Sequence, residues 1–446
     1  MATNNYSTLD NLIMEPIHFQ DEFGVLFEDD GTSVTLLVAS NKLIREYVIP
    51  DCVTVINHSA FKGCDKLTNV TIPDSVTEIG GCAFSGCRGL TSIIIPNSVT
   101  KIGMWAFSGC RGLTSIVIPN SVTEIGWYAF SACRGLTSIT IPESVTEMRE
   151  FAFSGCTGLT TITISCSKIG LAAFTGCSGL TAINILKSVT EIDNRAFEEC
   201  DSLQSVLIPS SVTRIGSWAF ADCKSLTKII IPNSVTEIES GAFFRCKKLT
   251  TVILPDSIRE IGGKVFKDCE ELTNISLPNS IKKIGVGAFN NCKKLTRVVI
   301  PKSMTRIEDS SFVNCTGLTE VSIPDSIIEI GINAFGGCKK LTHVVIPNSI
   351  TKIEDISFAN CTGLTEISIP DSVTEIGNWA FKWCESLTHI TIPNSVKKIG
   401  YSAFAECKNL TTISIPDSVT EIDERAFEGC EKLDLPDWVK KLCKNK

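Results

Sequence analysis

The chain is 446 residues long, with 49 acidic against 41 basic residues, a formal net charge of −8 and an isoelectric point near 5.3. That balance excludes a general binder of nucleic acid or anionic membrane, because both need a basic face to displace counterions. No run of about 20 apolar residues occurs, so no membrane insertion is expected, and Met1 to Ser7 carry neither the basic nor the apolar segment of a secretory signal, which points to the cytoplasm.

Residues 1 to 43 stand outside the pattern that fills the rest of the chain. A turn signal at Glu28-Asp29-Asp30-Gly31 separates Val25-Leu26-Phe27 from the run Val34 to Val38, which reads as an amino-terminal cap with a hairpin over the first exposed edge. From residue 44 to 433 a 23-residue unit recurs, plainest between Leu67 and Leu90. Its Phe column runs through Phe61, Phe84, Phe107, Phe130, Phe220 and Phe335 to Phe427, seventeen copies in all. Cysteine follows each Phe by three positions, from Cys64 to Cys430, and leucine follows each cysteine by three, from Leu67 to Leu433. Self-similarity at a period of about 20 to 50 residues marks a repeat array, in which one unit alone cannot bury its apolar face. One elongated domain of about seventeen coils is therefore expected, not two or three globular ones.

Within a unit, Val70 and Ile72 alternate inward with Asn69 and Thr71 outward, the pattern of a short strand that pairs with its copy in the next coil. Pro73, repeated at Pro50, Pro96, Pro119, Pro142 and on to Pro416, has no amide donor and ends the pairing. A serine follows two residues later, as in Ser75, Ser98 and Ser121, suited to bonding the backbone of a turn. Val76 and Ile79 form a second inward pair, and Ala83, Phe84, Cys87 and Leu90 recur at the spacing of about one helical turn, which closes the coil. The unit through Ser165, Cys166, Ser167, Lys168 and Ile169 is two residues short, and the next has Leu186 in place of proline, so a change of curvature is expected near residues 165 to 190. Residues 434 to 446 form a carboxy-terminal cap and tail, with Leu435 to Leu442 reading as a short amphipathic helix behind Pro436.

Of 21 cysteines, seventeen occupy the one apolar column, with Cys52, Cys82, Cys166 and Cys443 outside it. A ladder of buried free thiols is the expected reading, although stacked columns roughly 4.8 Å apart leave bridges geometrically open. Zinc is not expected, since no Cys-x-x-Cys pair occurs.

The Leu-x-x-(Val/Ile)-x-(Ile/Leu) spacing resembles a leucine-rich repeat, and the full unit, with Ile-Pro, Val-Thr-Glu-Ile-Gly, Ala-Phe and Cys-x-x-Leu, resembles the Treponema-type (BspA-like) subclass over residues 44 to 433. The resemblance implies a β-rich α/β solenoid, a right-handed superhelix with a narrow parallel sheet on its concave face, used for adhesion and protein binding and not for catalysis. It also implies a cell-surface or secreted location, against the missing signal.

Because packing fixes the core columns, partner contacts are sought in outward columns that vary from coil to coil. Arg297, Glu320, His343, Glu366 and His389 occupy one outward strand position in successive coils, close enough for cross-strand charge pairing, for a pH-sensitive contact or for a divalent metal. Near-copies start at Cys315 and Cys361, so duplication also accounts for that alternation, and plain cross-strand pairing is the favoured reading. Two residues before the column Phe stand Trp105, Tyr128 and Phe151 in adjacent coils, with Trp218 and Trp379 isolated at the same place, a binding stripe or a shield over the coil. Arg88, Arg111 and Arg134 follow the cysteine in three consecutive coils; like charges stacked so closely oppose folding slightly, and an acidic partner would relieve them, although local duplication of the Cys-Arg-Gly-Leu segment explains the row equally well. Leu207, Ile230 and Ile253 share an outward strand position and make an apolar patch.

Catalysis finds little support. Only His18, His58, His343 and His389 are present, without a nucleophile and base separable from the repeat, and Gly285-Val286-Gly287 lacks the third glycine of a nucleotide loop. The expected function is a non-enzymatic protein-binding module that needs no cofactor or metal and presents concave and edge surfaces to a protein partner. The alternatives are a cell-surface adhesin exported without an evident signal and a self-associating structural scaffold.

Overall fold

The computed structural model describes residues 15 to 444, so the first 14 residues of the expected amino-terminal cap lie outside the described residues. Two compact units make up the chain, Met1–Ile162 and Thr163–Lys446, and they divide just before the short repeat at Cys166. Each is a stack of coils held by parallel strand ladders, a leucine-rich-repeat solenoid with almost no helix.

In the first unit β1 (Ile17–Gln20), β2 (Val25–Asp29) and β3 (Val34–Ala39) form an antiparallel meander. β3 then pairs in parallel with Val53–Ile56, and that ladder continues through Glu78–Ile79, Lys101–Ile102 and Glu124–Ile125 to Glu147–Met148. A second ladder joins Glu46–Val48, Asn69–Thr71, Ser92–Ile94 and Ser115–Val117. A typical coil thus contributes one strand of three or four residues, a turn at proline, and one two-residue strand. Alternation decides the first kind, since Val70 is buried between exposed Asn69 and Thr71.

The second unit repeats this plan. Its short-strand ladder runs from Lys168–Ile169 to Lys283–Ile284, and its longer strands include the series Lys228–Ile230, Thr251–Ile253, Asn274–Ile275, Arg297–Val299 and Glu320–Ser322. At the short repeat Cys166 fills the inward position that valine holds elsewhere, and its thiol donates to the carbonyl of Lys168. Leu186 keeps an amide that proline would lack and donates it to Ile164 at 2.9 Å. The helix α1 (Asp437–Lys444) starts one residue after Pro436, buries Val439 and lies against the last short strand, Glu421–Ile422. Among the described residues no helix is long and apolar enough to cross a membrane.

Both units have their core in the columns of identical side chains. The Phe rings stack face to face within each unit at centroid separations from 5.0 to 5.8 Å, every one from Phe61 to Phe404 buried. Cysteine lies beneath them as free thiol. In coil after coil its Sγ donates to the Phe carbonyl of the coil before, as from Cys87 to Phe61 at 3.0 Å and from Cys246 to Phe220 at 3.2 Å. Most turn serines do the same on the other side, Ser98 to Val76 at 2.6 Å and Ser372 to Ile350 at 2.6 Å, whereas the hydroxyls of Ser144, Ser280 and Ser326 have no such partner. Hydroxyls and thiols that would otherwise be unpaired in the interior therefore tie neighbouring coils together.

The segment around Phe differs from the helical turn that its spacing suggests. It is a run of tight turns in which amides alternate between two partners: Cys87 donates back to Phe84 at 3.1 Å, whereas Cys82, Phe84 and Gly86 donate to Met104, Ala106 and Ser108 of the next coil, each at 2.7 Å. A left-handed residue two before and two after the Phe makes that alternation possible. Trp105 (φ 54°) and Gly109 (φ 73°) flank Phe107, and Arg195 (φ 56°) and Glu199 (φ 59°) flank Phe197. Helical geometry would have turned every amide inward along one axis and left the coils without a third ladder.

Candidate binding surfaces

Trp105, Tyr128 and Phe151 are brought together. The rings stack at 5.7 Å and 25° and then at 4.8 Å and 1°, so that Tyr128 has both faces covered. All three sit at the left-handed position before Phe, with φ of 54°, 53° and 56°. Trp127, exposed beside them, lies under the guanidinium of Arg149 at 5.2 Å. The isolated aromatics pack edge-on against neighbours, Trp218 on Phe244 and Trp379 on Tyr401.

The charged column of the second unit is only partly joined. Arg297 pairs with Glu320 at 3.3 Å and His343 faces Glu366 at 4.0 Å, all at exposed strand positions, while His389 bonds its neighbour Thr388 at 3.1 Å. Surface pairs of this kind contribute about 0 to 1 kcal/mol. Among the described residues no group of three or more His, Cys, Asp or Glu is placed to hold a metal ion. His18 meets Glu28 in the meander at 3.0 Å, far along the sequence from the others.

Arg88, Arg111 and Arg134 are exposed and make no ion pair among the described residues. Leu207, Ile230 and Ile253 are 76%, 41% and 45% exposed, with Ile230 and Ile253 directly opposite each other in the strand register. A shallow depression of about 420 Å³ runs from this pair to Asn233 and Asp256.

Comparison with protein families gives a match to the BspA type leucine rich repeat region over residues 39–160, 106–227, 190–319 and 306–434. The chain belongs to the BspA-type leucine-rich repeat family. A leucine-rich repeat protein from Bacteroides ovatus ATCC 8483 is 32% identical over 86% of this chain and 95% of its own, with a TM-score of 0.65. A leucine rich cell surface protein from Faecalibacterium prausnitzii A2-165 is 24% identical over 97% and 98%, with a TM-score of 0.42. A leucine-rich repeat protein from Eubacterium ventriosum ATCC 27560 is 20% identical over 95% and 97%, with a TM-score of 0.38. Curated proteins gave no match.

In this BspA-type array the sequence reading passes over one pair. Ile94 and Val117 are 81% and 78% exposed, stand opposite each other in register, and line a depression of about 760 Å³ with Ser92, Ser115, Asn97 and Asn120. Runs such as Ile93-Ile94-Ile95 hide the alternation of in and out, because both faces carry apolar residues. The signal was the column itself, the position that Ile230 and Ile253 hold in the second unit.

A ladder of ions also escapes sequence reasoning. Arg214 meets Glu191 at 2.6 Å, Asp193 at 3.3 Å and Glu239 at 2.7 Å, and Lys168 meets Asp193 at 3.1 Å. Burial pushes the carboxyl of Asp193 up, but the amide of Asn194, which donates to it at 2.7 Å, together with Lys168 and Arg214, holds it below its usual range. Each of the three carboxylates lies within reach of Arg214 or Lys168, so the cluster ties coils together.

Proposed function

We propose that the chain is a non-enzymatic protein-binding module that presents the longer-strand faces of its two units to a protein partner. One observation carries the reading: large apolar side chains project from the outward strand column, Ile94 and Val117 in the first unit and Leu207, Ile230 and Ile253 in the second. The same column elsewhere holds Thr71, Thr140, Ser322 and Ser368, so the frame does not require apolar residues there. Exposed apolar strips on a polar surface mark contact sites. Preformed coils limit the ordering cost of association.

Affinity capture with wild type beside the variants Ile94→Ser/Val117→Ser and Ile230→Ser/Ile253→Ser tests this, with light scattering as a companion. A partner held by wild type and lost by at least one variant, from a protein that stays monomeric at all concentrations, is the expected result. Retention by both variants removes these surfaces from the contact. Growth of mass with concentration, abolished by the same substitutions, would favour a self-associating scaffold.

A further inference from the structure

Beyond the strand faces, the turn side of the first unit carries a surface of different chemistry. Arg88, Arg111 and Arg134 occupy the position after cysteine in three consecutive coils. The second unit shows what neighbours in that column do when their signs differ. Lys224 meets Asp201 at 3.0 Å, Glu270 is held by Lys293 at 2.8 Å and Lys247 at 3.7 Å, and Lys408 meets Glu385 at 3.4 Å. Adjacent members of the column are therefore within ion-pair reach. In the first unit that geometry sets three guanidinium groups side by side, with no acidic residue among them in this column; Glu124, on the short strand between Arg111 and Arg134, meets Lys101 and Arg149 instead. Asp65, one coil before Arg88, makes no ion pair with it, and Thr157 follows Arg134. Self-repulsion in a row of this spacing disfavours folding unless an anion is brought to it.

On the same coils, six residues before Arg111 and Arg134, stand Trp105 and Tyr128 of the aromatic stack. Between Trp105 and Arg111 the residues that reach solvent are Ser108 and Gly109, and between Tyr128 and Arg134 they are Ser131 and Ala132; Ala106, Phe107 and Cys110, like Ala129, Phe130 and Cys133, are buried. In the second unit the corresponding positions carry Glu198 and Glu199, Phe244 and Arg245, or Lys382 and Trp383. The rings cover one another's faces, so what the middle of the stack offers outward is ring edge, the positive end of the aromatic quadrupole. Both rows thus favour an anion, and Tyr128, covered on both faces, gives no platform on which a base or a sugar ring could stack.

We propose that the Arg88–Arg111–Arg134 row, with the adjoining edge of Trp105 and Tyr128, docks an extended acidic segment of a protein partner. At about 4.8 Å per coil the row spans roughly 10 Å, the length of about three residues of extended chain, so a run of three or four Asp or Glu residues fits it. This names the chemistry of a partner for the protein-binding reading and uses another surface, so either can fail alone.

Fluorescence anisotropy with labelled octaglutamate, with octaglutamine as control, tests the assignment on the full chain. Wild type is expected to bind octaglutamate and not octaglutamine, and less tightly as ionic strength rises. Arg88→Gln/Arg111→Gln/Arg134→Gln weakens binding about tenfold, the sum of three exposed charge pairs. Lys293→Gln/Lys408→Gln, which removes two cations already paired in the same column, leaves it unchanged. Circular dichroism of each variant separates lost binding from lost fold. Equal binding by the triple variant overturns the assignment, as does equal binding of octaglutamine. Tighter binding of a single-stranded oligothymidylate of the same length assigns the row to nucleic acid instead.

Discussion

At the scale of single residues, the backbone around each Phe is the costliest feature of the repeat. Two left-handed positions per coil are filled by glycine in some coils and by Trp, Lys, Glu or Asn in others. A left-handed L-residue costs roughly 1 to 2 kcal/mol, most when branched at Cβ. Ile356, at φ 60°, is the least suited of these residues. Ile356→Gly is expected to raise stability by about 1 kcal/mol, and Gly287→Val, at φ 64° in the same column, to lower it by about as much. Urea midpoints of the two variants check both signs; a loss of stability in the first would mean that the side chain's packing outweighs the strain.

The coil is the element of this fold, and its strength lies in columns shared with its neighbours. Phe220 is fully buried, with its ring 5.3 Å from Phe197 and 5.5 Å from Phe243. Phe220→Ala opens a cavity with coils on both sides and is expected to cost about 3 to 5 kcal/mol, measured by chemical denaturation. Arg195→Ala, at an exposed position in the same kind of turn, is the comparison: its pair with Glu198 is worth about 0 to 1 kcal/mol at the surface. If the two substitutions proved equally costly, the coils would not be held by the ring stack.

For the whole molecule, the thiol column makes stability depend on pH in the alkaline range. Burial pushes the thiols of Cys110, Cys315 and Cys361 from their ordinary 9.0 up to about 12, and others in the column further in the same direction. Unfolded thiols ionise near the ordinary value, so above it the folded chain binds more protons than the unfolded one. Stability from this source is complete below pH 9, falls as the pH rises, and is lost near pH 12. Urea midpoints followed from pH 8 to about 11 are expected to decline steadily above pH 9; a flat profile would mean that the thiols ionise without unfolding.

The period, the inward columns and the ends of the strands were legible from the sequence by itself, because an apolar side chain repeated every 23 residues finds burial only against its own copies. What the segment from Ala83 to Leu90 becomes was not legible, since spacings of three and four suit a helix and a run of tight turns equally. The tertiary structure decided it: the amides of Phe84 and Gly86 meet the carbonyls of a coil 23 residues away, and only left-handed residues turn them there. Likewise, Trp105, Tyr128 and Phe151 could be aligned on paper, whereas the covering of their faces, the pairing of Arg214 and the exposure of Ile94 and Val117 depend on how neighbouring coils fill the space around each side chain. Local chemistry sets which residues face inward; contact between coils sets what the outward ones can touch.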